Sequence, residues 1–418
     1  MNYKTYMISD LISEIAMGPF GSNIKVECFV DDGIPVLNGS NLTGFFLNDN
    51  SLRYVTEEKA ESLGKANAHK GDIVITHRGT LGQIVCIPET SMYDRYVISQ
   101  SQFRVKCNEL VLPEYMMYYF HTSIGQHKLL SNTSQVGVPA LARASTTFQK
   151  IEIEIPDVKT QAKIVGLLRA LQQKIELNEK INKNLEEQAV TLFKQLLENG
   201  DSFIESAIGT FPSDFKVTKV GQIPMLVTDY VANGSFASLK ANVTLFQEPN
   251  FAYFVRNTDL KSDLYNVYVD NHSYEFLAKS KLFGGEIIIS NVGDVGSVFL
   301  CPLLNKPMTL GNNIIMLRPD DEKLRLYLYI WFKHAQGQAL IQGIKGGSAQ
   351  PKFNKTDFKN LLIAIPSKMK LSAFNETVSP IFKAIDSNLT ENKNLISLRD
   401  TLLPKLMSGE IDVSNIDI

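Results

Sequence analysis

Residues 175–185 read "IELNEKINKNL". The stretch looks helical, yet Asn178 and Asn182 fall where a helix turns apolar side chains inward, with Asn184 close behind. The pattern returns at residues 385–395 as "IDSNLTENKNL". Around the first copy an inward stripe runs Ile164, Leu168, Leu171, Ile175, Asn178, Asn182, Leu185, Ala189, Leu192, Leu196. Around the second it runs Phe374, Val378, Ile381, Ile385, Asn388, Asn392, Leu395, Arg399, Leu402, Leu406. Every position is shifted by 210, from 164 to 374 and onward to 406. The steps alternate four and three, as a coiled-coil seam requires. Such a stripe alone is ordinary core packing; its repetition with both asparagines retained singles it out. A buried asparagine costs stability but can pair with another and set register. If the helices pair antiparallel, Asn178 faces Asn392 and Asn182 faces Asn388, and a pseudo-twofold axis relates the halves. Pro404 is expected to end or kink the second helix and leave Leu406 outside the seam.

The repetition extends beyond the helices. "IPVLNGSNL" (34–42) parallels "AYFVRNTDL" (252–260), and "GDIVITHRGTLGQIVCIP" (71–88) parallels "GEIIISNVGDVGSVFLCP" (285–302). The "EIP" ending at Pro156 parallels the "AIP" ending at Pro366. This spacing is too long for a solenoid and signifies a tandem copy of a whole domain plus its helix. Each half therefore reads as α+β. Short apolar runs at 73–76, 84–87, 287–290 and 314–317 predict buried strands, and residues 113–130 and 322–341 predict one amphipathic helix each. Four segments follow: 1–158 and 201–368 as the mixed domains, 159–200 and 369–418 as the helices.

A chain of 418 residues is too long for one ordinary domain. Its 44% hydrophobic and 21% charged content suits a soluble globular protein. No apolar run approaches the roughly 18 to 20 residues that span a bilayer, and the opening "MNYKTYMISDLISEI" lacks the features of a secretion signal. Cys28, Cys86, Cys107 and Cys301 are far apart, which favours a reducing cytoplasm over disulfides or structural zinc. The net charge of -2 counts against a stand-alone nucleic-acid binder, and less against a subunit whose partners share the phosphate contacts.

Catalytic signatures are missing. The chain has no GxxxxGK[ST] phosphate loop, no GxSxG elbow and no Pro-Pro pair, and its six histidines lack metal-ligand spacing. The triplets Asp157-Val-Lys159 and Asp357-Phe-Lys359 are no more than chance supplies.

The loops hold the candidate binding residues. After a strand, "THRGTLG" (76–82) presents His77, Arg78 and Thr80 around two glycines that suit a positive-φ turn. Arginine can bond guanine O6 and N7 together in the major groove. The second copy keeps the glycines, Gly293 and Gly296, but presents Asn291, Val292 and Asp294. Two modules reading different sequences would diverge this way; neutral drift of an exposed turn gives the same outcome. "SQVGVPALAR" (134–143) parallels "KGGSAQPKFNK" (345–355), with Arg143, Lys345, Ser348, Gln350 and Lys352 as possible phosphate or base contacts. "MGPFGSNIK" (17–25) and "ANGSFASLK" (232–240) contribute Ser22, Lys25, Ser235 and Lys240, and the first matched pair adds Asn38 and Arg256.

This layout resembles the specificity (S) subunits of type I restriction-modification enzymes over nearly the whole chain. The resemblance rests on the "GPFGSNIK" and "GSFASLK" openings, the paired glycine turns and the "GGSAQPKF" loop. It rests also on the helix entries "IEIPDVKTQAKIVGLL" and "IAIPSKMKLSAF" and the terminal "LRDTLLPKLMSGEIDV". One departure is visible: Gln161 keeps part of the family's Glu-Gln at the first helix entry, whereas Ser372-Ala373 replaces it at the second. The resemblance implies a noncatalytic subunit of the prokaryotic cytoplasm, without a membrane anchor. Two target-recognition domains would each read half of a split site on double-stranded DNA. The helices would form an antiparallel coiled coil that docks two methyltransferase subunits. This chain would bind no metal or cofactor; S-adenosylmethionine would sit on the methyltransferase subunits, and ATP and Mg on two restriction subunits. A helix of about 36 residues spans roughly 54 Å, which leaves an unread gap between half-sites. A two-domain protein-protein or ligand-binding scaffold with a coiled-coil spacer is the alternative. A self-contained nuclease or methyltransferase is disfavoured by the missing motifs.

Overall fold

Ile73–Thr76 and Ile287–Ser290 each lie between a Gly-acid turn and a glycine-bounded loop, and each is buried along its whole length as an inner strand. In the computed structural model, which describes residues 2–131, 133–134, 138–347 and 350–414, the neighbours of these strands correspond one to one. The first copy orders Ile12–Met17, Gln102–Cys107, Ile73–Thr76, Ile84–Cys86 as an antiparallel sheet; the second orders Met225–Asp229, Ile314–Pro319, Ile287–Ser290, Val298–Leu300 in the same way. A five-stranded sheet accompanies each. In both, one inner pair is parallel: Ile34–Val36 with Arg95–Val97, and Ala252–Val255 with Met308–Leu310. Two mixed α/β repeats with a long helix each is thus the architecture. The hairpin of Phe203–Ser206 and Gly209–Pro212 leads into the second repeat.

The Gly-acid turns carry a buried carboxylate paired with an arginine at matching positions. Asp72 accepts from the His69 N–H and faces Arg104, whose Nε donates to the Lys65 carbonyl. Glu286 accepts from the Phe283 and Gly284 N–H groups and faces Arg318, whose Nη2 donates to the Lys281 carbonyl. Burial pushes the Asp72 carboxyl above its ordinary range.

The expected single helices over 113–130 and 322–341 are each broken in two: Pro113–His121 with Ser123–Leu130, and Lys323–Lys333 with Ala335–Gly343. The chain turns at Thr122 and His334, both extended. Thr122 Oγ1 donates to the Tyr119 carbonyl and accepts the Gly125 N–H, so it ends one helix and caps the next.

The long helices are Val158–Glu198 and Lys368–Met407. Contacts divide the chain into two compact units, Met1–Asn178 with Thr390–Ile418, and Glu179–Leu389. Each long helix is divided near its middle because its halves pack into different cores. In the first unit Ile164 and Leu168 join Leu403, Leu406, Met407 and Val413 around Phe103, Phe120 and Phe148. In the second, Phe193 and Leu197 join Leu371, Phe374 and Val378 around Trp331 and Phe358. Two details correct the sequence reading. Pro404 does not end the helix and Leu406 is fully buried. Pro404 lies exposed in the last turn and lacks the N–H that would bond the carbonyl four residues back, yet its own carbonyl still accepts from the Ser408 N–H and the helix runs on to Met407. Further, Phe193 and Leu197 are the buried side chains where the seam predicted Leu192 and Leu196. A 3.6-residue helix drifts against a 3.5-residue repeat once a domain core packs on it as well as the second helix.

Gln161 explains one half of the helix-entry departure. Its buried amide accepts from the Leu112 N–H and donates to the carbonyls of Leu110 and Pro156. At the 210-residue offset of the helices the equivalent place falls on Leu371 rather than on Ser372-Ala373, and Leu371 packs into the core instead.

Candidate nucleic-acid interface

Both turns after the inner strands have glycines in the left-handed region: Gly79 at φ 88° and Gly82 at 81°, Gly293 at 77° and Gly296 at 100°. A later loop of the same repeat clasps each turn through its backbone. Gly79 N–H donates to the Pro139 carbonyl at 3.0 Å and Leu141 N–H to the His77 carbonyl at 2.9 Å. Gly293 N–H donates to the Pro351 carbonyl at 2.8 Å and Phe353 N–H to the Asn291 carbonyl at 3.0 Å. Two loops far apart in sequence thereby form one surface in each unit.

A third anchor comes from the broken helix pairs. Gln126 Nε2 donates to the Gly82 carbonyl (2.9 Å) and the Phe120 carbonyl (2.7 Å). Gln338 Nε2 repeats both bonds, to Gly296 (2.8 Å) and Phe332 (2.6 Å). Sequence reasoning missed these glutamines and the preceding Gly125 and Gly337. Alignment of "YYFHTSIGQ" (118–126) with "IWFKHAQGQ" (330–338) carries the signal, an aromatic run ending in Gly-Gln.

In the first unit Arg78 and Thr80 are exposed at the turn and Arg143 is exposed beside it, at φ 48°. Arg143 shares a cleft with His127, Lys128 and Lys150, so this face is locally basic although the chain is slightly acidic. His77 is half-buried; its Nε2–H donates to the Gln100 carbonyl, and burial lowers its pKa, which favours the neutral ring. Asn38 Oδ1 accepts from Ser40, capping a short 3-10 turn. Lys25 is exposed, and Ser22 lies in the 3-10 segment Gly21–Asn23.

The second unit spends more of its polar groups internally. Asp294 is paired with Lys261 at 2.6 Å and accepts from Ser297 and Asn257; the Lys261 ammonium first holds it below the usual carboxylate range. Arg256 grips Asp259 through Nε and Nη2 and also reaches Asn266. Asn291 Nδ2 donates to the Phe353 carbonyl, while the side-chain oxygens of Asn291 and Asn257 are buried without a donor. Ser235 caps Phe236–Asn242. Lys240, Lys345, Gln350 and Lys352 are exposed, with Lys352 pairing its backbone to Gly346. Ser348 lies outside the described residues.

The asparagines pair within each unit. Asn178 Nδ2 donates to Asn392 Oδ1 at 2.8 Å, and Asn392 Nδ2 to the Ile175 carbonyl. In the other unit Asn388 Nδ2 donates to Asn182 Oδ1, also at 2.8 Å. The donor sense is the same, from the earlier asparagine of one helix to the later asparagine of the other. Asn178 Oδ1 remains buried without a donor, so the layer is not built for maximal stability.

Among the described residues no helix is long and apolar enough to cross a membrane, and no group of three His, Cys, Asp or Glu side chains is placed to hold a metal ion. The sequence model described as type I restriction modification DNA specificity domain matches the chain twice, at residues 21–187 and 209–398. The type I restriction enzyme HindI specificity subunit of Haemophilus influenzae is 25% identical over 436 residues, covering 88% of this chain and 93% of that protein. The MjaIX specificity subunit of Methanocaldococcus jannaschii is 24% identical over 420 residues, covering 97% and 93%. In fold, the chain is similar to the S subunit of a type I restriction-modification system from M. genitalium, with a TM-score of 0.57 at 14% identity, covering 97% of this chain and 96% of that one.

Proposed function

Because the chain belongs to the type I restriction-modification DNA specificity family, we propose that it is the subunit that selects the DNA sequence for such a system. Each repeat reads one half of a bipartite double-stranded site. One observation carries this reading: the two turns share glycines, backbone clasp and glutamine anchor, yet present His77, Arg78 and Thr80 in one case and Asn291, Val292 and Asp294 in the other. A scaffold held constant while its presented side chains change suits two readers of different half-sites.

The chain itself performs no catalysis and binds no cofactor in this reading. Its long helices dock two methyltransferase subunits, which bind S-adenosylmethionine; two restriction subunits use ATP and Mg. The complex works in the prokaryotic cytoplasm. Arg78, Arg143, Lys25, Lys240, Lys345 and Lys352 are the basic groups offered to DNA, all exposed. Arg256 and Asp294 act mainly by shaping their loops, since their charges are already paired.

Methylated bases mapped in a host that expresses the chain with its methyltransferase partner test the proposal. A split motif that disappears without this chain is expected; a continuous motif, or none dependent on the chain, would refute it. In the same assay Arg78→Ala is expected to relax or abolish readout in one half-site, at about 1–3 kcal/mol for a lost bidentate base contact. Equal loss in both halves would assign Arg78 a backbone or folding role.

The asparagine pairs set helix register in this reading. A slip by one seam position sets asparagine against leucine. Asn178→Leu combined with Asn392→Leu is expected to leave the chain as stable or more so, while the spacing between methylated half-sites becomes heterogeneous. An unchanged single spacing in the methylation map would reduce the pair to tolerated polar residues.

A further inference from the structure

We propose that Phe20 and Phe236 are a matched pair of aromatic contacts to DNA bases, one in each repeat. The inference rests on the function proposed above and adds a contact of a different kind. The openings "GPFGS" and "GSFAS" place a phenylalanine at the same point of each repeat. Both rings are 83% exposed, more than any other phenylalanine among the described residues. Elsewhere the chain buries this side chain wherever a core is within reach, as at Phe103, Phe120, Phe148, Phe193, Phe332 and Phe358. One bare ring is unremarkable on a protein surface. The same bare ring kept at the matching point of two copies points to a partner outside the chain.

The surroundings identify that partner. In the first unit the loop carrying Phe20 is pinned to the segment that also holds His77. Gly18 N–H donates to the Gln102 carbonyl, and a Cβ on Gly18 would lie 1.8 Å from the Ser99 carbonyl oxygen, so only glycine allows this approach. Between these two residues, the Gln100 carbonyl accepts from the His77 ring, next to Arg78. In the second unit Asp229 Oδ1 accepts the Ala232 N–H, which shapes the turn before Phe236, and also pairs with Lys355. Lys355 lies two residues beyond Phe353, whose N–H clasps the Asn291 carbonyl. Each phenylalanine is thus tied to the loops that present the candidate reading residues of its own repeat. Exposed Lys25 and Lys240 follow in sequence and suit a polyanion. An aromatic face stacks on any base, and apolar side chains also enter between base steps, so the contact adds grip without dictating sequence.

The test uses the full chain assembled with its methyltransferase subunits and a duplex carrying the mapped site, with 2-aminopurine substituted along each half-site in turn. Phe20→Ala is expected to weaken binding roughly 5- to 150-fold, the range for loss of one base-stacking aromatic. It should abolish a protein-induced 2-aminopurine signal in the half-site that Arg78→Ala affects, and Phe236→Ala should do the same in the other. The dependence of affinity on salt should not change, because no phosphate contact is lost, and Phe20→Trp should restore binding. Wild-type affinity in both alanine variants overturns the proposal. So does a drop in melting temperature that parallels the loss of binding, since the ring would then be structural. If the wild-type complex binds all duplexes equally while the variants still lose affinity, the sequence-selecting function fails and the aromatic contact stands.

Discussion

Gly125→Ala is expected to destabilise the first unit by about 3 kcal/mol or more, at the upper end of what overpacking costs. A Cβ on Gly125 would lie 2.1 Å from the Tyr119 carbonyl oxygen and 2.6 Å from Phe120 Cα. Both are backbone atoms of the preceding helix, so no side chain can swing aside. Relief requires the helix pair to splay, and the splay carries Gln126 away from the Gly82 and Phe120 carbonyls. The variant should therefore lose stability and readout of one half-site together. Gly337 meets the Trp331 carbonyl oxygen at 2.1 Å and Phe332 Cα at 2.7 Å, so Gly337→Ala should do the same to the second unit. Calorimetry of the two variants provides the check, since a chain of two units need not unfold in one step. A transition lowered by about 6–12 °C corresponds to this loss in a unit of some 200 residues. A wild-type thermogram for either variant would show that the helices separate without cost.

Arg104→Met is expected to cost about 3–5 kcal/mol at pH 8, because it strips a buried carboxylate of its counter-charge. Arg104 is 5% exposed and Asp72 3%. The guanidinium reaches Asp72 at 3.2 Å and Glu14 at 3.0 Å and also donates to the Lys65 carbonyl. Methionine keeps an unbranched apolar stem but answers none of these groups. The pH dependence distinguishes charge from packing. Burial already raises the Asp72 pKa, and without Arg104 it rises further. A raised folded-state value means the native state binds more protons than the unfolded chain, so stability is lost as pH rises from the ordinary carboxyl value of 3.8 through the raised one. Glu14 acts in the same direction. Arg104 holds its pKa low, so that pair stabilises the native state above the ordinary Glu value of 4.5, and the variant forfeits the contribution there. The deficit should therefore widen as pH rises above the ordinary carboxyl values of 3.8 and 4.5, and shrink as pH falls through them, in urea titrations. A loss independent of pH would trace to packing alone. Glu286 and Arg318 form the corresponding pair in the second repeat.

Several features are legible in the residues because they arise from short-range rules. The four-three alternation with two asparagines identifies the paired helices, and the asparagines do meet, Asn178 with Asn392 and Asn182 with Asn388. Glycines three apart after an apolar run identify turns that need positive φ, as Gly79, Gly82, Gly293 and Gly296 have. Matching stretches repeated in the same order announce two domains of one topology, and the sheets have the same strand order. Other features depend on contacts that no local pattern encodes. Arg256 and Arg78 look equally available in the sequence, yet Asp259 occupies the first while the second is exposed. Gln161 and Leu371 fill equivalent helix entries by opposite means, hydrogen bonding and apolar packing.

By itself, then, the sequence determined the duplication, the α+β class, the paired asparagine helices and the loops on which recognition would lie, because periodicity and glycine sterics act over a few residues. Only the tertiary structure decided that the helices at 113–130 and 322–341 break, that Leu406 and Val413 complete the first core, and that Gln126 and Gln338 hold the turns. Those outcomes are set by which buried surfaces and unpaired backbone groups meet across long separations in the chain, and burial and hydrogen-bond satisfaction are properties of the packed fold rather than of any window of sequence.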